Sequence, residues 1–293
     1  MTLFHSVASA TPLPPVSPWP CHLGNCNPGN CNPGNCDPPN CDPRPSDRRR
    51  PSDRRNCDRR NCDPRNCDRQ DCDLPPCDHA GWSASYAREL WRAGRAGRDG
   101  RPAADVTLHS RTGARIVLDI ARFTAPPSPA DLELLDRCAG PTVDIGCGPG
   151  RLAAELAARG IPALGVDVSS VAVLLTRAAG ATALRRSIFD RLPGEGRWHH
   201  ALLIDGNIGI GGDPAGLLRR VKQLLRPAGA ELLVETDPAD IDELHRVRVC
   251  AAGAEFGWAR IGARALTVRA ELLGYRTRAT WRRGGRCFVV LAV

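Results

Sequence analysis

The stretch VDIGCGPGRLAAELAARG, residues 143–160, constrains this chain more than any other. A short apolar run enters three glycines spaced two apart, Gly146, Gly148 and Gly150, and a helical pattern follows at once. A strand that turns tightly into a helix favours residues without a Cβ, because the backbone must bend sharply and come close to whatever it binds. Asp144 stands two residues before the first glycine, and Asp167 lies 21 residues after it, closing the next apolar run. In an open α/β sheet both lie at strand carboxyl ends, where such sheets bind ligands. A carboxylate at Asp167 suits a bidentate hydrogen bond to ribose hydroxyls.

The surrounding pattern repeats that unit. Apolar runs at 142–145, 163–166, 182–188, 200–204 and 230–235 alternate with helical patterns at 151–159, 170–179 and after Asp213-Pro214. The last carries Leu217, Leu218, Val221, Leu224 and Leu225 on one stripe. Ser169 and Asp213 are expected helix caps, and Gly160 and the Arg226–Gly229 run are expected stops. Strands alternating with helices imply βαβ units, a parallel sheet and helices on both faces. Further helices are expected near 240–252 and 259–273, and two β-rich runs across Gly284-Gly285 read as a closing hairpin. Ahead of the alternation come a helical stripe of Tyr86, Leu90 and Trp91, a hairpin with Gly113 in its turn, and a short helix capped by Ser128 and Pro129. The expected fold is therefore α/β: a Rossmann-like, doubly wound, mostly parallel sheet with a C-terminal antiparallel strand pair. Residues 81–140 form a helix and hairpin cap, and residues 141–293 the ligand-binding domain.

The glycine spacing separates two cofactor classes. A dinucleotide fingerprint places its last glycine or alanine three residues after the second. Here that place holds Arg151, and the third glycine comes one residue early. With no pyrophosphate to cradle, the loop better suits a nucleoside carrying an amino-acid moiety. VDIGCGPG, with VDVS ending the next strand, resembles the class I S-adenosylmethionine-dependent methyltransferases of the small bacterial type. The resemblance extends over roughly residues 82–293, including the final antiparallel pair and the R-P-A-G ahead of the fifth strand. It implies S-adenosyl-L-methionine as cofactor and methyl transfer as the reaction. Asp144, Gly146, Gly148 and Gly150 would face the methionine part, Asp167 the ribose, Ser187 and Ile188 the adenine, and Asp205 the methyl group. The family often has an acidic residue where Ser187 stands.

Methyl transfer from a sulfonium is an in-line displacement on an activated carbon, so alignment is the main task, worth roughly 7–11 kcal/mol. A general base is needed only for a protonated acceptor. Asp205 is the preferred candidate, with His199, His200, Asp237 and His245 behind it. Amino-group methyltransferases acting on bases often carry [DN]-P-P-[FY] after the fourth strand, where this chain has Asp205-Gly206-Asn207-Ile208. A small-molecule acceptor is the leading expectation. With no long insertion expected after the fifth strand, any lid should come from residues 82–137 and the Gly206–Asp213 loop. A non-catalytic cofactor-binding module and an NAD(P)-dependent oxidoreductase are the rivals.

Residues 1–80 have a different texture. They hold 10 of the 14 cysteines and 15 of the 26 prolines, the cysteines falling every five residues in NCNPG- and NCDPR-type repeats. Zinc sites use closer pairs with a second ligand pair, and a disulfide framework needs an exported chain. A segment so poor in large apolar residues reads as disordered. Met1 is the only methionine, so a start near residue 80 at another codon would leave no trace in the composition. The segment contains 10 Arg and 10 Asp with no Lys or Glu, so the whole net charge of +8 belongs to the remainder, 30 basic against 22 acidic residues. Scattered arginines and 4% aromatic content argue against a nucleic-acid surface. No run approaches the ~20 apolar residues of a membrane helix, and no secretory signal is evident. A cytoplasmic protein is expected, with Cys138, Cys147, Cys250 and Cys287 as buried thiols and no metal site.

Overall fold

The computed structural model describes residues 83–94, 105–249 and 254–293. The repeat segment of residues 1–80 lies outside them. The chain begins with helix α1 (Ser83–Gly94), the hairpin β1 (Val106–Ser110) and β2 (Arg115–Leu118), and the short helices α2 (Ile120–Thr124) and α3 (Pro129–Leu135). Strand β2 stops where it does because Asp119 caps α2, its carboxylate accepting from the Arg122 N–H. Ser128 and Asp131 close a reciprocal capping box on α3, with Pro129 at its first turn.

The alternating unit then follows as β3 (Thr142–Ile145), α4 (Arg151–Ala158), β4 (Ala163–Asp167), α5 (Ser170–Ala178), β5 (Thr182–Arg185), β6 (His200–Leu203), α6 (Pro214–Leu224) and β7 (Glu231–Thr236). After two further strands the chain ends with α7 (Ala263–Leu272), β10 (Arg276–Arg283) and β11 (Arg286–Ala292). The main sheet runs β10-β11-β7-β6-β3-β4-β5. Strands β3 to β7 are parallel, and β11 is antiparallel to both β7 and β10. The expected fold class is the observed one.

Helices cover both faces, and alternate residues of each central strand supply them. Ala201, Leu203, Leu232 and Val234 pack with α6 and α7, while Leu202, Ile204 and Leu233 pack with α3 and α4. Strands buried on both sides read as unbroken apolar runs, which is why the sequence locates them. The caps at Ser169 and Asp213 form as expected.

The segment after β7 departs from expectation. Instead of a helix near 240–252, residues Asp242–Arg248 form strand β8, and Phe256–Ile261 form strand β9, so the following helix starts only at Ala263. Strand β8 pairs with β9 and, at its far end, with β1, giving a second, antiparallel sheet in the order β2-β1-β8-β9. The tertiary partner decided the matter. Val247 is buried in the same cluster as Leu108, Leu118 and Phe123, and it enters that cluster from the strand paired with β1. The cap is thus built from two distant parts of the chain, residues 83–94 with 105–124, and residues 242–249 with 254–261. Cys138, Cys147 and Cys287 are buried free thiols; Cys250 lies outside the described residues. No described helix is long and apolar enough to cross a membrane.

Candidate functional site

The glycine loop leaves β3 as a series of left-handed turns, with φ of +69° at Gly146, +55° at Gly148 and +86° at Gly150. Space forbids side chains here as well. A Cβ on Gly150 would lie 2.5 Å from the Thr176 methyl, and one on Gly146 would lie 2.7 Å from the Asn207 amide. Asn207 donates to the carbonyls of Ile145 and Gly146, both at 2.9 Å, and so ties the loop after β6 to the end of β3. Asp167 ties the loop to β4, accepting from the Gly148 N–H at 3.0 Å and the Ser169 N–H at 2.8 Å.

Between these strand ends and the cap lies a cavity of about 250 Å³. Of the residues expected at the site, Gly146, Asp167, Ser187, Ile188 and Asp205 line it. Gly148 and Gly150 are set back, shaping the turn. Asp144 is also set back. It is buried at 2% exposure, and its Oδ2 has no hydrogen-bond partner. Burial pushes its carboxyl up to about 7, against the pull of Arg151 and with a further push from Asp205 and Asp167.

Asp205 follows β6 in a left-handed conformation, φ +59°, unusual for a residue with a side chain. Its carboxylate is gripped at both oxygens by Arg151 and reached by Arg122 at 2.9 Å. Arg151 also donates to Asp131, and Arg286 joins Asp131 at 2.8 Å to Glu235 at 2.7 Å. Glu235 in turn accepts from the Asp205 N–H. Three carboxylates and three guanidinium groups thus form one balanced lattice beneath the cavity. Burial pushes the Asp131 carboxyl up, but Arg151 and Arg286 outweigh it and hold the group well below the usual carboxylate range.

The other base candidates lie elsewhere. His199 and His200 sit at the amino end of β6, opposite the cavity, where both N–H groups donate to the Pro141 carbonyl. Asp237 is paired with Arg260 at 2.7 Å, and His245 is bonded to Glu243 at 3.0 Å. Neither lines the cavity.

Sequence reasoning missed several lining residues. Tyr86, from α1, reaches within 3.4 Å of where a Gly148 side chain would begin. The stripe that carries it was legible, but its partner was not. Phe256 and Trp258, from β9, fall between the helices expected near 240–252 and 259–273, where no strand was expected. The Gly206–Asp213 loop docks on that same strand. A Cβ on Gly209 would strike the Ala259 carbonyl, and Ile210 bridges to Trp258. Gly209 and Gly212 therefore serve close packing against β9, which lies beside the lid expected from residues 82–137 and this loop.

No protein-family model and no curated protein matches the chain. Among solved structures, it is similar to an S-adenosylmethionine-dependent methyltransferase from Bacteroides fragilis in complex with S-adenosyl-L-homocysteine. The TM-score is 0.58 at 19% identity, covering 70% of this chain and 94% of that one. A second is 1,6-didemethyltoxoflavin-N1-methyltransferase from Burkholderia thailandensis, at a TM-score of 0.48 and 17% identity, covering 74% and 90%. At these identities the likeness is one of fold.

Proposed function

We propose that the chain is an S-adenosylmethionine-dependent methyltransferase acting on a small-molecule acceptor. The observation that carries this is the junction of two strand ends. A bare glycine turn after β3 and a carboxylate ending β4 meet at one cavity, with the turn too crowded for side chains at Gly146 and Gly150. The residues fit such a cofactor. Gly146 would admit its amino-acid end, with Asp144 beneath; Asp167 would accept from the ribose hydroxyls; Ser187 and Ile188 would border the base. When bound, the cofactor supplies an activated methyl group. The protein's own part is to align and to exclude water: Tyr86 and the cap close the cavity from above, and Asp205, fixed by Arg151, sets its floor.

Arg151 supports this reading over a nicotinamide-dependent one. It occupies the place of a dinucleotide fingerprint's third glycine, and its guanidinium is committed to Asp131 and Asp205. Isothermal titration with S-adenosylmethionine, S-adenosylhomocysteine and NADPH tests the proposal. Binding of the first two and not the third is expected, followed by transfer of a labelled methyl group to an acceptor. Binding of NADPH alone would overturn it.

A further inference from the structure

The cavity has two unlike walls. The strand ends and their loops supply its polar groups. The opposite wall comes from α1, β1, β2, α2 and β9, and presents Tyr86, Leu108, Leu118, Phe123, Phe256 and Trp258. Those six residues carry no formal charge. Trp258 is held in place from two sides, by an edge-to-face contact with Phe256 at 6.4 Å and by the bridge to Ile210. Flat apolar rings prefer such surfaces, and a bound cation against this wall would find the cavity's two carboxylates, Asp167 and Asp205, already held by protein donors.

Among the described residues, four ionisable groups line the cavity: Tyr86, Asp167, Arg186 and Asp205. Each is committed. Asp167 accepts from two backbone N–H groups, Arg186 donates to the Arg191 carbonyl, and Asp205 lies in the arginine lattice. Burial, with Asp167, Cys147 and Asp205 nearby, pushes the Tyr86 hydroxyl further from ionisation. No histidine of the described residues lines the cavity. A general base must sit within hydrogen-bond reach of the proton it takes, and none of the described residues is poised to do so there.

We infer that the acceptor is a small, planar, aromatic molecule that brings its own unprotonated nucleophile, seated against Trp258, so that the protein contributes position and an apolar wall but no base. This rests on the methyltransferase reading above. In the transfer, the acceptor's lone pair forms the new bond to the methyl carbon, the carbon–sulfur bond breaks, and its electron pair remains on sulfur as a neutral thioether. With an arylthiolate as nucleophile both products are neutral and no proton moves.

The test joins binding to turnover. Thioanisole and benzylammonium are titrated into the complex with S-adenosylhomocysteine, and thiophenol, benzyl alcohol and benzylamine are offered as acceptors. Thioanisole is expected to bind at least about tenfold more tightly than benzylammonium, the order of effect of leaving a charge without a partner. Thiophenol is expected to be methylated with a rate that follows its own ionisation. Trp258→Ala should weaken thioanisole about tenfold, as loss of an aromatic contact does, while Trp258→Phe restores it and neither variant shifts S-adenosylhomocysteine affinity. Faster turnover of benzylamine or benzyl alcohol overturns the inference. So does failure to methylate thiophenol by protein that binds the cofactor, or a pH limb that vanishes in Asp205→Asn. Failure of S-adenosylhomocysteine itself to bind would instead sink the methyltransferase reading.

Discussion

The seven-stranded sheet and the four-stranded cap sheet bury their residues in opposite ways. Along β7, Leu232, Leu233 and Val234 succeed one another with no position facing solvent. Along β8, Asp242, Leu244 and Arg246 are exposed, while Glu243 and His245 are half-covered and only Val247 is fully buried. The main sheet is stabilised by apolar area on both faces. The cap depends on one apolar cluster under its strands and on docking contacts such as that between Gly209 and β9. Regions with few buried apolar contacts open at lower free energy than the core. The difference therefore assigns rigidity to the cavity's floor and freedom to its roof.

Removing Arg151 should have the largest effect, because Asp131 and Asp205 would each lose the guanidinium that joins them, leaving Asp131 to Arg286 and Asp205 to Arg122 and Arg286. Arg151→Ala is expected to cost about 3–5 kcal/mol, as breaking a buried ion pair does, read from urea denaturation. A loss under about 1 kcal/mol, the range of exposed pairs, would show that the lattice contributes little to the floor.

Acid should act on the main sheet at its other end, away from the cavity. Burial, then His199 and Arg226, hold His200 down at about 4 from the usual 6.5. Its folded form resists protonation more than the unfolded form, so its contribution is complete above pH 6.5 and is lost as pH falls through about 4. His200 alone should account for a decline of roughly 2–3 kcal/mol over that window. Asp144 opposes it, because its carboxyl, pushed up to about 7, gains stability as pH falls. His200→Gln should remove the His200 part and so change the slope. An unchanged slope in that variant would assign the acid sensitivity to other groups.

At the boundary between the regions, Asp167→Ala should weaken cofactor binding by about 1.5–3 kcal/mol, the range for hydrogen bonds to a charged group. Asp167→Asn keeps an acceptor for the Gly148 N–H and should retain the loop. An unchanged dissociation constant in Asp167→Ala would mean that the carboxylate holds only the protein's own backbone.

Gly209→Ala sharpens the comparison most directly. Its methyl would press on the Ala259 carbonyl, an overpacking of about 1–2 kcal/mol. Amide exchange should quicken in β8 and β9 while β3 and β6 hold, and turnover should suffer more than cofactor affinity. Equal acceleration in both sheets would erase the distinction between floor and roof. The smallest effect is expected at Leu244, which is 61% exposed on the cap's outer face. Leu244→Lys should change stability by less than about 0.5 kcal/mol, and a larger loss by thermal melting would reveal that this face is covered.

The same contrast explains what could be read in advance. Strands such as TVDI and ELLVET are bounded by glycine turns and capped helices, so their apolar runs locate them without knowledge of their neighbours. The expectations for the glycine turn and Asp167 followed from that frame, and those for Ser187 and Ile188 from the resemblance to methyltransferases. Strand β8 offers no such frame. Its one fully buried apolar residue is Val247, its Leu244 faces outward, and the strand exists because β1 and β9 flank it. The commitment of Asp205 to three arginines was equally hidden, since Arg122, Arg151 and Arg286 are scattered over 164 positions and meet only in the folded chain.

The pairing of β1 with β8 also bears on how the molecule assembles. Ser110 lies opposite Val247, so the hairpin near the amino end must wait for a strand more than a hundred residues later. Contacts so distant in sequence carry a large loop-closure cost and form slowly. During synthesis the β1–β2 hairpin would emerge first and stand idle while β3 to β7 assemble. The roof, and with it a closed cavity, would arrive after them. In refolding followed by pulsed amide exchange, β1 and β8 should gain protection together and later than β3 and β6. The cofactor would then meet a finished floor before it meets a finished room, and could not act as a template for the early steps of folding.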